Sequence, residues 1–425
     1  MRTEVSPPAG NAAGDGGAYR WLASLCLVEL GTMLVMMNYS AVLPILQVEW
    51  GLSGSQAGTI FSAYWGGYLL AVLLLTTLTD YVNPRLVYAC SALWAGLANL
   101  LFTFGADGFL WGAILRALTG LGLAGTYAPG MKLVAQRFPA KRRGFAIGCY
   151  TSCFGLGGGL SLFLSGWLTA AGGWQRAFLV TSFGPLAAGL VALWILRGIP
   201  KPAPTSRLSV SRLLRNRPAL LTTAAYMAHG WELFGFRAWL VVFLAARLTE
   251  TGTPLVLATD FASRSAGVIT LAGALASVTG GWLSDRLGRT TIMLLASSTS
   301  AILSILLGWL FFLPMGLLLG IVSLLGIMIM LDSSTISTTI TEAADPDHLG
   351  ATIALYSFLG FLAAMAAPAV FGFILDLTNP VPSGGQSGLA DQWGWAFTAL
   401  GIGGGLVPVV ALTLRRHRSR RIPLS

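Results

Sequence analysis

Six ionisable side chains stand inside long apolar stretches of this sequence: Glu29, Arg116, His229, Glu232, Arg237 and Asp332. A charge at the centre of a bilayer costs about 2.5–3.5 kcal/mol on insertion scales, so such groups face a cavity, a partner or a passing ion. Two chemistries follow from their types. His229 and Glu232 lie at i, i+3 on one helix face, where an imidazole and a carboxylate can exchange a proton, or simply make a helix contact. Glu29 and Asp332 are further candidates for proton coupling. The second chemistry is anion binding. Arg116 shares its face with Thr119, Gly120, Leu123 and Tyr127, so a guanidinium, a hydroxyl and a phenol can converge on a substrate; the other reading is a structural pair of Arg116 with Glu29. Arg237 lies about 140° around the helix from Glu232 and is expected to face an outer vestibule or another neighbour.

Asp332 opens the run Asp332-Ser333-Ser334-Thr335-Ile336-Ser337-Thr338-Thr339. Hydroxyls can bond their own helix backbone, but the carboxylate cannot be hidden that way and needs water, substrate or a cation. Asn38, Tyr39 and Trp231 are candidates for a binding wall. Tyr64, Trp65, Tyr68 and Tyr226 supply more aromatic surface, a type also enriched at membrane interfaces.

The elements that must position these groups are transmembrane helices. Of 425 residues, 55% are hydrophobic and 10% charged, and the mean hydropathy is +0.73, against about 25% charged in a soluble domain. A spanning helix needs roughly 20 apolar residues. Such stretches recur at 21–44, 57–78, 86–105, 109–135, 144–171 and 175–196, and again at 219–246, 259–284, 290–313, 315–341, 350–376 and 393–414. The expected organisation is a cytoplasmic tail over 1–20, a six-helix bundle over 21–196, a basic linker over 197–218, a second bundle over 219–414 and a basic tail over 415–425. The polar start does not fit a cleaved signal peptide.

The net charge of +10 raises the question of nucleic acid, and the positions of the charges answer it. All but five of the 26 Lys and Arg residues fall in segments that share one side of the membrane once both termini are placed in the cytoplasm; the five are Arg116, Arg176, Arg237, Arg247 and Arg264. The positive-inside rule therefore predicts a multi-pass protein of a bacterial-type inner membrane with both ends cytoplasmic, its partner the lipid bilayer rather than nucleic acid. Cys26, Cys90, Cys149 and Cys153 all lie in apolar stretches, and the three histidines are far apart. Neither a metal site nor another cofactor is expected, and no nucleotide-binding loop or hydrolytic triad points to an enzyme.

The two halves repeat at an offset of about 205 residues, as in transporters built from duplicated bundles. Leu78-Thr79-Asp80-Tyr81 falls on Leu283-Ser284-Asp285-Arg286. The segment Gly281-Trp282-Leu283-Ser284-Asp285-Arg286-Leu287-Gly288-Arg289-Thr290 resembles the loop signature of the major facilitator superfamily, and Arg116-Ala117-Leu118-Thr119-Gly120-Leu121-Gly122 resembles its fourth-helix pattern. The resemblance implies an all-α membrane fold of twelve helices in two pseudo-symmetric bundles, working by alternating access. It also implies a conformational latch at Gly281, Asp285, Arg286, Gly288 and Arg289, with Asp80 and Arg85 as a degraded first-half copy, holding the outward-open state.

Gly148, Gly155, Gly157, Gly158 and Gly159 resemble the glycine-rich fifth helix of drug and proton antiporters, but the Gly-Pro pair of those proteins is absent. Nitrate carriers place arginine in the second helix and organic phosphate carriers in the first; 57–78 and 21–44 contain none. The expectation is a monomeric, proton-coupled uptake carrier for a small organic anion. Proton-coupled efflux of hydrophobic compounds is the alternative, and a non-transporting membrane receptor or scaffold is the reading of another class.

Overall fold

Lipid offers no water to an exposed N–H or C=O, so an apolar chain closes its hydrogen bonds within each segment, as helix. The computed structural model describes residues 15–79, 81–198, 216–344, 349–380 and 389–419. Asp80, most of the basic linker, the first fourteen residues and the last six lie outside the described residues.

In the first half the helices are α1 (Asp15–Met33), α2 (Asn38–Glu49), α3 (Gly54–Leu78), α4 (Pro84–Gly105), α5 (Phe109–Leu123), α6 (Tyr127–Arg137) and α7 (Ala140–Ile195). In the second half they are α8 (Arg217–Glu250), α9 (Leu255–Leu287), α10 (Arg289–Leu307), α11 (Met315–Ala343), α12 (Leu349–Thr378), α13 (Gly394–Gly404) and α14 (Leu406–Ser419). Helix α7 is too long for one crossing and doubles back at Gly172–Gly173, where Gly173 takes φ +81°, a left-handed conformation open to glycine. Twelve crossings result among the described residues: α1 with α2, α5 with α6 and α13 with α14 each form one broken span, α7 forms two, and the other helices one each.

The breaks are a finding against the continuous spans read from sequence. Residues 34–37 interrupt span 1 and 124–126 interrupt span 4. Span 2 also starts earlier than its apolar run, at Gly54, because Ser53 and Gln56 form a reciprocal capping box.

An even number of crossings puts both chain ends on one side, here called the terminal side; the other is the distal side. The halves are in contact along spans 5 and 8, where a Cβ on Gly267 would lie 2.8 Å from the Gly159 carbonyl, and on the distal side along three further seams. Span 1 meets span 7 where the Ser40 hydroxyl lies 2.9 Å from the Arg237 carbonyl and 2.8 Å from that of Ala238. Span 1 also meets span 8, with Ser263 Oγ donating to the Ala41 carbonyl at 2.5 Å. Span 2 meets span 11 backbone to backbone: a Cβ on Gly58 would lie 2.1 Å from the Pro368 carbonyl, and one on Gly372 would lie 2.0 Å from that of Gly54.

Asp376 completes this third seam. Its carboxylate accepts from Gly54 N at 2.5 Å, from Ser55 N at 2.8 Å and from Ser55 Oγ at 2.5 Å. A carboxylate on the free N–H groups of a helix start is doubly favoured, by hydrogen bonding and by the helix dipole. This ties span 11 of one half to span 2 of the other. Spin labels at the exposed positions Asp107 and Asp391 report on the seam. Asp376→Asn is expected to add a longer-distance population to the distribution between them, and an unchanged distribution would show that Asp376 does not hold the distal side closed.

Candidate functional site

Breaking span 1 frees backbone carbonyls in the middle of the membrane, and the first half is built to receive them. Arg116 of α5 is fully buried. Its Nη1 donates to the Val35 carbonyl at 2.9 Å and to Asn38 Oδ1 at 3.0 Å, and its Nη2 donates to the Met36 carbonyl at 3.0 Å. The guanidinium also lies 4.4 Å from the centre of the Tyr64 ring. From span 5, Ser161 Oγ donates to the Leu34 carbonyl at 2.6 Å and accepts from Met37 N at 3.2 Å. Arg116 and Ser161 together satisfy the break.

Asn38 carries the network onward. Its amide donates to Asn99 Oδ1 at 2.9 Å and Thr181 Oγ1 at 3.1 Å, and the Asn99 amide reaches Ser182 Oγ at 2.9 Å. Tyr39 donates to the Ala57 carbonyl at 3.1 Å. Two side chains expected on a binding wall are therefore buried inside the first half, joining spans 1, 2, 3 and 6. The face shared by Arg116 and Tyr127 is interrupted by the break in span 4, and Tyr127 stacks over Tyr150 at 6.1 Å instead.

Glu29 is not the partner of Arg116. Its Oε2 accepts from the Tyr88 hydroxyl at 2.6 Å and lies 2.8 Å from the Tyr150 hydroxyl, while its Oε1 is buried without a partner. Tyr150 Oη is also 3.2 Å from the Thr126 carbonyl, at the break in span 4. In the second half the expected His229–Glu232 pair is split. Glu232 turns to span 9, where Ser304 donates at 2.7 Å and Ser300 at 3.0 Å, and towards span 12, where Gly404 leaves it room. His229 turns the other way, to Asp332 of span 10, with Nδ1 at 2.9 Å from Oδ1 and both side chains buried. Trp231 packs on Gly403 of span 12 and is not on the wall of a central site.

Arg237 differs from Arg116. It is 5% exposed, and among the described residues its guanidinium meets the Met330 sulfur at 3.5 Å rather than a carbonyl or carboxylate. It lines a small cavity with Leu233, Phe236, Ile269, Thr270 and Gly326, so it faces spans 8 and 10 rather than an outer vestibule.

Sequence reasoning passed over the aromatic layer at mid-depth as possible interface residues. Trp65 stacks on Phe361 of the other half at 5.1 Å and 15°, and meets Phe234 at 4.7 Å. Tyr68 lies 4.9 Å from Phe361. On the terminal side of this layer Tyr127, Phe154, Tyr226, Tyr356 and Phe361 keep part of their surface accessible, so the layer is the floor of a recess between the halves. The signal available in the sequence was the placement of aromatics on spans 2, 4, 5, 7 and 11 at matching depth.

At the loop between spans 8 and 9, Gly288 takes φ +90°, and Arg289 bridges Asp285, Glu342 at 3.1 Å and Ser284 Oγ at 2.7 Å. Arg286 lies 4.0 Å over the Trp282 ring. Gly281 sits against Ser334 of span 10, which would be 3.2 Å from an added Cβ. These contacts tie spans 8, 9 and 10 within the second half. Arg85, in the first-half copy, uses its backbone N–H on the cap residue Asn83 at 3.0 Å.

Comparison with known proteins follows the same lines. The profile of the Major Facilitator Superfamily matches residues 25–368 and 265–424. The chain is 28% identical over 381 residues to the probable sulfoacetate transporter SauU of Cupriavidus necator, covering 84% of this chain and 87% of that protein. It is 26% identical over 323 residues to the gallate transporter of Pseudomonas putida (68% and 71% covered), and 25% identical over 375 residues to the hexuronate transporter of Bacillus subtilis (80% and 84% covered). Among solved structures it resembles, with a TM-score of 0.74 and 15% identity, a bacterial homologue of the human lysosomal transporter Spinster in an inward-facing, unoccupied conformation, covering 95% of this chain and 99% of that one.

The role of Arg116 is open to a direct check. Lysine keeps the charge but cannot place a planar fork on two carbonyls, so Arg116→Lys is expected to cost about 2–4 kcal/mol of stability. Thermal melting in detergent without substrate measures this. An unchanged melting temperature would return Arg116 to the list of pure substrate contacts.

Proposed function

Because the chain belongs to the Major Facilitator Superfamily, we propose that it takes up a small organic anion together with protons by alternating access. The observation that carries this reading is Arg237: a cation buried at membrane depth, lining a cavity and meeting only a thioether among the described residues. An uncompensated buried cation is costly, and an anionic ligand relieves the cost. The related transporters for sulfoacetate, gallate and hexuronate support the anion class, since their names specify acids.

The proton route we assign to His229 and Asp332. They are close enough to share a proton, and they belong to spans 7 and 10, on the side of span 7 that also carries Tyr226. Glu29 is held between Tyr88 of span 3 and Tyr150 of span 5 in the first half, and it takes no part in this route. Glu232 faces spans 9 and 12, away from the recess, and serves packing. The distribution of Lys and Arg supports a cytoplasmic terminal side; on this reading the closed seams face outward and the recess faces inward. The cluster at Asp285, Arg286 and Arg289 then belongs to the side that closes in the outward-open state. The unit that works is a monomer, since cation, recess and His229–Asp332 pair come from one chain.

Purified protein in sealed liposomes tests this. Adding a transported acid outside should acidify the lumen, and Asp332→Asn should abolish the acidification while leaving exchange of labelled anion across the membrane. Glu232→Gln should leave acidification intact. Arg237→Gln should raise KM at least about tenfold, the loss of one charge-assisted contact. Acidification that survives Asp332→Asn would remove the His229–Asp332 pair from the proton route.

A further inference from the structure

Five of the 26 Lys and Arg residues stand apart from the basic clusters of the terminal side, and the structure gives four of them a place. Arg116 holds the break in span 1, and Arg237 lies against Met330. Arg247 donates to the Leu313 and Phe312 carbonyls, and Arg176 to that of Ala171. The fifth, Arg264 of span 8, has a side chain 43% exposed.

A groove of about 420 Å³ opens beside Arg264, within the roughly 300–1,000 Å³ of small-molecule sites. Span 8 forms its floor with Phe261, Arg264 and Val268; Phe163 of span 5 is one wall, and Leu319 and Ser323 of span 10 are the other. Phe163, Phe261 and Val268 are exposed apolar side chains, so in a bilayer this surface meets acyl chains rather than water. At 1.5 Å per residue the floor lies about 9–20 Å along α9 from its distal start at Leu255, the depth of the distal leaflet.

A guanidinium exposed to lipid at that depth is costly unless it reaches a headgroup or a partner. Helix side chains lean towards the helix N-terminus, which for α9 is the distal surface. Arg264 does so: its Nη2 donates to Asp260 Oδ2 at 2.5 Å, one turn nearer that surface. Among the described residues this is its one acceptor, and it uses one of five N–H donors. The pair is neutral as a whole, so it draws in no free anion from a distance. It presents hydrogen-bond donors at the end of an apolar groove, which fits a phosphate that carries its own acyl chain.

The groove also crosses the boundary between the halves. Phe163 belongs to the first half and packs on span 8, where a Cβ on Gly267 would lie 2.9 Å from it; the rest of the lining belongs to the second half. Separating the halves at their distal ends draws this wall away. A ligand that fills the groove therefore binds the distal-closed arrangement in preference and shifts the population towards it.

We infer that the groove is a site for one phospholipid of the distal leaflet, its phosphate on Arg264 and an acyl chain laid between Phe163 and Leu319, and that this lipid holds the halves in the distal-closed arrangement. The site lies outside the recess and is independent of which anion is carried.

Native mass spectrometry of the purified full chain, delipidated in detergent and titrated with dioleoyl phosphatidylethanolamine, measures the site. One retained lipid is expected, and Arg264→Gln and Leu319→Trp should each weaken it at least about tenfold. Leu319→Trp fills the groove while leaving the Asp260–Arg264 pair in place, so the two variants lose the lipid for different reasons. Dioleoylglycerol, with the same chains and no phosphate, should bind at least about tenfold more weakly than the phospholipid. Between spin labels at Asp107 and Asp391, the phospholipid should deplete any longer-distance population in the parent protein and not in the variants. Equal affinity in the parent and both variants is the behaviour of annular lipid only and would overturn the site. Equal binding of dioleoylglycerol would remove the phosphate contact. Glycerophosphoethanolamine, the head without chains, bound as tightly as the lipid would mark a site for soluble phosphate esters instead. A distance distribution in the parent protein that ignores the lipid would overturn its hold on the halves.

Discussion

A broken helix in lipid is stable only if something other than water takes its freed backbone groups, and in this protein that constraint is met at residues 34–37. Arg116 and Ser161 reach the break from spans 4 and 5, and between them they satisfy the Leu34, Val35 and Met36 carbonyls and the Met37 N–H. The arginine is affordable there because its charge is spread over carbonyl dipoles, the Asn38 amide oxygen and the Tyr64 ring rather than left bare. Asn38 then passes the order on to Asn99, Thr181 and Ser182. The middle of the first half is thus one connected polar network inside an apolar bundle, and in low dielectric such a network holds a unique arrangement only when its members are partnered.

That use of Arg116 sets the division of labour between the halves. The chain has two cations at membrane depth, and sequence spacing treats them as equivalent candidates for an anion. The fold consumes one in holding span 1, and the other, on span 7, faces a cavity. The same sorting applies to the carboxyls. Glu29 sits under two tyrosine hydroxyls and Glu232 under two serine hydroxyls, whereas Asp332 faces an imidazole. A hydroxyl stabilises a carboxyl without exchanging a proton at ordinary pH; an imidazole does both.

The sequence carried the architecture because its signals are long: twelve apolar runs, basic clusters on one side, a repeat near 205 residues, and the Gly281–Thr290 loop. Each of these integrates over many residues, so local irregularity does not blur it. The partners of individual charges were not legible, since they depend on which neighbouring helix each face meets. His229 and Glu232 share a face at i, i+3 in projection, yet a small rotation of the side chains sends one to span 10 and the other to spans 9 and 12. The break in span 1 was hidden for a related reason. No proline stands within 34–37; the chain turns there because residues more than 75 positions away in sequence supply its hydrogen bonds.

The two breaks of the first half are also joined to each other. Arg116 lies in α5, one side of the break in span 4, and holds the break in span 1; Tyr150 lies within reach of both Glu29 on span 1 and the Thr126 carbonyl at the break in span 4. Spans 1, 4 and 5 therefore cannot shift independently without stranding a buried donor or acceptor, at a cost of about 1–3 kcal/mol each. Spans 7 and 10 of the second half are continuous helices and carry no such staple among the described residues. The polar residues of the first half are committed to these breaks, whereas in the second half Arg237 meets a thioether among the described residues and His229 is paired with Asp332.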